Sequence, residues 1–256
     1  MIDIGLCAGL EKAGEAKALG FDYLEPPVTG IASLSETAFA DALAQVRRTG
    51  LPVKRCNCLF PATLPLCGED LRADRVAAWL QAALPRVRAL GAELVVVGSG
   101  GARKRPEQVP YATAFRRLVQ VTRLIGDVCA ANGLRVAIEP LNSGETNMIN
   151  TIAEGAALAA AADHPAVGLL ADSYHIALTG EDPADLVRLG GVWHVHVALK
   201  EGRRWPVAAD ALHASLFAAL RASGYKGCVS VEGNSADWQA DAAAALPLLR
   251  EWTREA

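Results

Sequence analysis

Short runs rich in Val, Ile and Leu, each followed by a stretch of helical periodicity, alternate along this chain until eight pairs have been counted. No other feature narrows the fold as far, because strands separated by helices pair in parallel and must be covered on both faces. Strands are predicted at Ile2 to Cys7, Tyr23 to Glu25, Val53 to Cys58 and Glu93 to Val97. The second half adds Arg135 to Glu139, Val167 to Ala171, Val192 to Val197 and Cys228 to Glu232. Helices fill the intervals. Ser35 to Thr49 is one, with Ser35 as N-cap and Gly50 as its stop. Arg72 to Leu90 is another, with a kink expected at Pro85. Gly20, Gly91, Gly133 and Gly224 each stand just before a strand, where a left-handed residue ends a helix.

Eight such pairs either close into a barrel or spread into an open doubly wound sheet. An open sheet that binds dinucleotides carries Gly-x-Gly-x-x-Gly after its first strand, and Gly5-Leu6-Cys7-Ala8-Gly9 does not supply that spacing. A (β/α)8 barrel takes about 250 residues, and this chain has 256, with no linker-like or low-complexity stretch. The expected fold is α/β, a single TIM-barrel domain over residues 1–256. Hydrophobic residues make up 52% of the chain but aromatics only 5%, so the core is built from aliphatic side chains and alanine, as close packing of helices on a parallel sheet requires.

Composition also narrows the partners. Lys plus Arg number 25 against 28 Asp plus Glu, a net charge of -3, the wrong sign for holding nucleic acid by its phosphates. No run approaches the roughly 20 apolar residues of a membrane span. Met1 to Leu10 lacks the basic flank and apolar length of an export signal, so the chain is read as cytoplasmic. On that reading Cys7, Cys56, Cys58, Cys67, Cys129 and Cys228 are reduced thiols. Cys56-Asn57-Cys58 has zinc-site residue types but no second pair at ligand spacing.

The chemistry gathers at the C-terminal ends of the last four strands, the end of a parallel barrel where active sites are built. Glu139 ends the fifth strand, Asp172-Ser173-Tyr174-His175 follows the sixth, His194-Val195-His196 lies on the seventh and Glu232 ends the eighth. Singly, such a Glu is a helix cap or an ion-pair partner and such a His a satisfied core residue. Four at successive strand ends are much harder to assemble by chance. Buried carboxylates converging with an imidazole are costly unless a cation joins them. Three carboxylates and one His form an oxygen-rich set that suits Mn²⁺, Mg²⁺ or Co²⁺. Glu139, Asp172, His196 and Glu232 are therefore read as the ligands of one divalent metal ion. His194 shares the strand face of His196, which is chosen because it lies nearer the rim.

Ile138-Glu139-Pro140-Leu141-Asn142, Glu145-Thr146 and Asn150-Thr151, with the later motifs Asp172 to His175, His194 to His196 and Val229 to Gly233, also carry a resemblance. In that order they resemble segments of the xylose isomerase-like sugar isomerase/epimerase superfamily, which includes D-tagatose and D-psicose 3-epimerases. Gly20 to Glu25 and Gly98 to Arg103 are similar to earlier parts of the same pattern. The resemblance implies the same four metal ligands, with Glu139 and Glu232 as the acid/base pair, and Glu145, His175 and Arg203 contacting the sugar. It implies a metal-dependent sugar isomerase or epimerase that removes a proton next to a carbonyl through an enediolate, on a ketose, in a homodimer or homotetramer. Inosose or dehydroshikimate dehydratases and hydroxypyruvate isomerase share that first step.

The chain departs from the pattern in places. Arg203 stands in a loop that reads one residue longer than the family's, with Arg204 as an alternative, and Trp205-Pro206-Val207-Ala208-Ala209-Asp210 lacks the glycines usual there. Arg103, Lys104 and Arg105 form a basic cluster that could receive a substrate phosphate or carboxylate, or simply be a solvated loop or a subunit contact. A DNA-repair enzyme of the endonuclease IV type would need more histidines than the five present. A binding protein that had lost catalysis would not need two opposed carboxylates.

Overall fold

A computed structural model describes residues 2–254. Its strands are β1 (Ile4–Cys7), β2 (Tyr23–Glu25), β3 (Arg55–Cys56), β4 (Leu94–Val97), β5 (Arg135–Ile138), β6 (Val167–Asp172), β7 (Val192–Val197) and β8 (Cys228–Val231). They pair in parallel in the order β2-β1-β8-β7-β6-β5-β4-β3. Bridges from Leu24 to Val53 and from Pro27 to Asn57 join the two remaining edges, so the sheet is a nearly closed (β/α)8 barrel. Around it run α1 (Ala13–Leu19), α2 (Val28–Ser33), α3 (Glu36–Thr49), α4 (Ala73–Leu90), α5 (Gly100–Arg103) and α6 (Tyr111–Ala131). The ring continues with α7 (Ile152–Ala162), α8 (Ser173–Thr179), α9 (Asp185–Leu189), α10 (Ala211–Ala222) and α11 (Trp238–Arg254). None of the described helices is long and apolar enough to cross a membrane.

Local chemistry sets the boundaries. Ser35 caps α3 by accepting from the Ala38 amide, and Gly50 ends it in the left-handed region. Gly91 closes α4 at φ 100°, a conformation that a side chain would strain. α4 continues through Pro85. Five strands, β1, β3, β4, β5 and β8, are shorter than their sequence runs, and β6 is one residue longer. The β3 ladder keeps only Arg55 and Cys56, because Val53 and Asn57 pair across the barrel's closing edge as isolated bridges. β5 stops one residue before Glu139, although the Glu139 amide still donates to the Val97 carbonyl.

Strand pleating decides what fills the barrel. Side chains alternate faces, and the inward set pairs Tyr23 with Glu25, Arg55 with Asn57, Ala137 with Glu139, Leu170 with Asp172, His194 with His196 and Ser230 with Glu232. Contacts across the interior fix this parity: Tyr23 to Ser230, His194 to Glu25, Asn57 to Glu232 and Arg55 to Cys228. Leu94, Val96, Ala137 and Leu170 form a small apolar cluster separate from the main core. β7 holds one extra residue: Leu169 and Leu170 face Val192 and His194, so Trp193 is bulged out of the alternation. Its indole packs on that cluster and over Gly168, where a Cβ would lie 2.2 Å from the ring.

Candidate active site

Because the parity holds to the last residue of each strand, the rim delivers its carboxylates and histidines to one place. One ligand atom from each of Glu139, Asp172, His196 and Glu232 lies within 4.8 Å of the others, with Glu139, Asp172 and His196 buried. The four residues singled out from the sequence are thus brought together. His196 Nδ1 faces Glu232 at 2.9 Å and Glu139 at 3.4 Å. Asp172 also caps α8 by accepting from the Tyr174 amide, which leaves its second oxygen for the site.

Several polar atoms there are buried and make no well-formed hydrogen bond: Glu139 Oε1, His175 Nε2 and His196 Nδ1, although the last lies 2.9 Å from Glu232. Unpaired buried polar atoms cost free energy, and three converging on one point mark a place built for something else. A divalent cation fits, because the oxygen-rich donor set would satisfy two of those atoms at once.

The charges are strongly coupled. Burial, reinforced by the charge of Glu232, raises the Glu139 carboxyl above its ordinary range. Burial also opposes ionisation of Glu232, but His196 and Arg203 outweigh it and hold that carboxyl at about 2. For His196, burial pulls downward, and Glu232, Cys7 and Glu25 more than reverse it. Two carboxyls of one site are driven in opposite directions, a common mark of an acid/base pair.

The three expected substrate contacts take different positions. His175 is buried and accepts at Nδ1 from the backbone and side-chain amides of Asn142. Its Nε2–H is therefore left to donate, 3.6 Å from Asp172 and 3.9 Å from Glu139. Arg203 donates from Nη2 to Asp172 at 2.9 Å and to Glu232 at 2.6 Å, and lies over the Tyr174 ring. Glu145 is more exposed, 3.9 Å from Arg203 and bonded to Asn142. The two arginines point in different directions: Arg203 reaches the site, whereas Arg204 is exposed and bonds the Glu201 carbonyl. Arg203 adopts φ 49°, and its carbonyl accepts from the Asn234 amide, which ties the loop after β7 to the one after β8. The glycine-poor stretch beyond it does a different job. Trp205 is buried against Phe21 and Trp238 and anchors the loop.

One reading is corrected. Arg103 is not available to receive a substrate phosphate, being 1% exposed and donating to the Glu139 carbonyl; Arg105 donates from Nη1 to the Val109 carbonyl within its own loop, and Lys104 is exposed. All six cysteines are free thiols, and neither Cys56 nor Cys58 joins a metal-competent group among the described residues.

The sequence reading missed the support beneath the site. Glu25, at the end of β2, is fully buried and accepts from His196 Nε2 at 3.0 Å, His194 Nε2 at 2.7 Å and Ser230 at 2.5 Å. Burial opposes its charge, but the two imidazoles hold its carboxyl well below the usual range. His194 thus belongs to the layer below, where its Nδ1 meets the Cys228 carbonyl. Asn57 donates to Glu232 at 3.0 Å. The available signal was parity: Glu25 and Asn57 share the inward alternation of the other rim residues.

Above these groups opens a cavity of about 320 Å³ lined by Cys7, Pro27, Asn57, Cys58, Arg203 and Glu232, among others, at the small end of ligand pockets.

Similarity to known proteins agrees with this fold. The chain is 29% identical over 237 residues to the 3-dehydro-D-guloside 4-epimerase of Escherichia coli, covering 88% of this chain and 86% of that enzyme. It is 30% identical over 118 residues to a probable ketose 3-epimerase of Synechocystis, a match covering 45% of this chain and only 41% of that protein's length. A solved L-ribulose 3-epimerase superposes with a TM-score of 0.85 at 20% identity, over 99% of this chain and 95% of that one. The model of the xylose isomerase-like TIM barrel matches residues 13–255, and the chain belongs to that family.

Proposed function

We propose that this protein is a metal-dependent sugar epimerase or isomerase that moves a proton on a carbon next to a carbonyl, with an uncharged keto sugar as substrate. The observation that carries the reading is the convergence of Glu139 and Glu232 on His196 and Asp172 at the rim of the barrel. The names of the two relatives point the same way. A ketose epimerised at C3 and a 3-keto sugar epimerised at C4 both exchange a proton on the carbon adjoining the carbonyl.

Glu139, Asp172, His196 and Glu232 would hold one Mn²⁺, Mg²⁺ or Co²⁺. When bound, such an ion polarises a substrate carbonyl and stabilises the charge that develops on its oxygen. The chain's own groups do the rest. Glu232, held ionised by Arg203 and His196, is the base that takes the proton, and Glu139, whose carboxyl is raised, is the partner that returns one. His175 presents its Nε2–H toward the reacting oxygens, fixed in that tautomer by Asn142. Arg203 and Glu145, 3.9 Å apart, would meet hydroxyls farther along the sugar. Asn57 orients the Glu232 carboxylate from the opposite wall.

A dehydratase would use the same two carboxylates. The mouth weighs against an acid such as dehydroshikimate, because its lining offers one cation, Arg203, already paired with Asp172 and Glu232. The same argument disfavours sugar phosphates. Free thiols throughout fit a reducing cytoplasm, and a homodimer or homotetramer remains part of the reading by family likeness.

The test is a screen of the Mn²⁺-, Mg²⁺- and Co²⁺-loaded protein against free ketoses and keto-glycosides in deuterated water. Deuterium at the carbon beside the carbonyl, with an epimeric or isomeric product, is expected. Glu139→Gln and Glu232→Gln should each lower turnover by about 10³-fold with the fold intact. No exchange into any substrate, or near-normal turnover in either variant, would overturn the two-carboxylate mechanism. Water loss without sugar interconversion would make the enzyme a dehydratase.

A further inference from the structure

At the opposite end of the barrel lies a second cavity, of about 330 Å³, that the proposed reaction does not use. It is framed by the loops entering β7 and β8, and by the first residues of β3 and β5. Three cations line it: Arg55, Arg135 and Lys226. We propose that this cavity is a binding site for a small molecule bearing a phosphate group.

The charges are placed for a ligand and are not neutralised by the fold. Arg55 is 5% exposed, and its Nε is buried without an acceptor. Its Nη1 meets the Lys54 carbonyl and Glu93 at 3.2 Å, while Nη2 has only the Cys228 sulfur at 3.6 Å. A buried guanidinium with spare donors is costly to leave unmatched. Arg135 is held by stacking, its guanidinium 5.1 Å from the centre of the Trp193 ring. Cation–π contact orients a charge without neutralising it. Among the described residues, neither Arg135 nor Lys226 has a carboxylate partner; Glu93 offsets part of one charge of the three. The balance is close to two positive charges, which matches the roughly −1.5 to −2 of a phosphate monoester better than the single charge of a carboxylate.

The lining also admits an anion closely. Gly190, Gly191, Gly224 and Gly227 leave backbone where side chains would stand. The Trp193 bulge keeps the indole at this end of the barrel, where it supports Arg135. The chain as a whole carries a net charge of -3, so anion binding at this end comes from the local cluster and not from a general attraction. The cavity is large enough for a sugar or similar body beside the phosphate.

The experiment is calorimetric titration of the metal-loaded full chain with inorganic phosphate and, separately, with D-fructose 6-phosphate and D-fructose. Saturable binding of one or both phosphates is expected. Arg135→Ala and Lys226→Glu, both at exposed positions, should each weaken it by roughly tenfold or more, with sugar turnover unchanged. Equal affinity for both probes would mean that the site reads the phosphate alone, and tighter binding of the sugar phosphate that it reads the body as well. No saturable binding at tens of millimolar, or binding untouched in the Arg135→Ala, Lys226→Glu double variant, would overturn the proposal. An outcome in which Arg203→Ala abolishes phosphate binding and the double variant does not would place the anion at the catalytic mouth and overturn it equally. The catalytic reading stands or falls separately, by proton exchange.

Discussion

Glu25→Gln tests how much of the metal site is made by the layer beneath it. The substitution keeps the shape of a side chain that is fully buried, but removes its charge and one of its acceptor oxygens. Three donors now converge on that carboxylate: His196 Nε2, His194 Nε2 and Ser230 Oγ. A glutamine must turn its NH₂ toward one of them, donor against donor. The Cys228 carbonyl can only accept, so His194 keeps a proton on Nδ1, and its Nε2 can accept from the glutamine only by giving up the proton and the charge it now shares with Glu25. Outer-layer partners of ligating histidines are typically worth 10–100-fold in metal affinity. With both histidines affected, the upper end is expected, about 100-fold or 2.7 kcal/mol. The metal-free protein should also lose about 3 kcal/mol of stability, roughly 6–12 °C in melting temperature, because a buried charge pair loses one partner. Titrating Mn²⁺ calorimetrically into chelator-treated protein gives the affinity, and thermal unfolding without metal gives the second number. An affinity within about threefold of the unsubstituted protein would refute the reasoning, since His196 would then be held by the strand alone.

Gly98→Ala should damage the site without touching a ligand: its Cβ would stand 2.1 Å from Glu139 Oε2. Displacing that carboxylate should lower kcat/KM by about 100-fold, seen in steady-state kinetics beside a near-normal unfolding curve. Arg203→Ala should raise KM and lower kcat/KM by about 10–100-fold, and Arg203→Lys should not restore it, because an ammonium has one nitrogen where the guanidinium lies flat over Tyr174 with Nη2 on Asp172 and Glu232 and Nη1 toward Glu145. Asp22 governs acid stability at the β1–β2 junction. Burial raises its carboxyl, but Arg250 and the Ile4 amide outweigh that and depress it. A depressed folded-state pKa contributes stability above the unfolded value, near 3.9, and loses it as the pH falls through the folded one. Asp22→Asn should therefore lower the urea midpoint at neutral pH and flatten its decline below about pH 4; an unchanged acid limb would count against the assignment.

Much of this protein could be read in one dimension. The alternation of short apolar runs with helical periodicity determined eight βα units, and the glycines at positions 20, 50 and 91 ended helices where expected, because capping and pleating depend on near neighbours. The four rim residues were legible for the same reason: in a parallel barrel every strand end arrives at one face. What needed the third dimension was everything set by packing between distant segments. Glu25 lies about 170 residues before the histidines it supports, and parity along its strand gives the face it points to but not the distant groups it meets. Arg103 and Arg105 sat in a polar run that looked exposed, yet tertiary packing buries Arg103 beneath Glu139. Arg203 and Arg204 differ by one position, and only the left-handed backbone of the loop turns Arg203 inward. The cluster of Arg55, Arg135 and Lys226 exists because barrel closure brings the starts of β3, β5 and β8 to one end. Sequence determines which groups each strand presents and to which face. Closure of the sheet decides which of them meet, because their separation along the chain is large and their contact is made by packing.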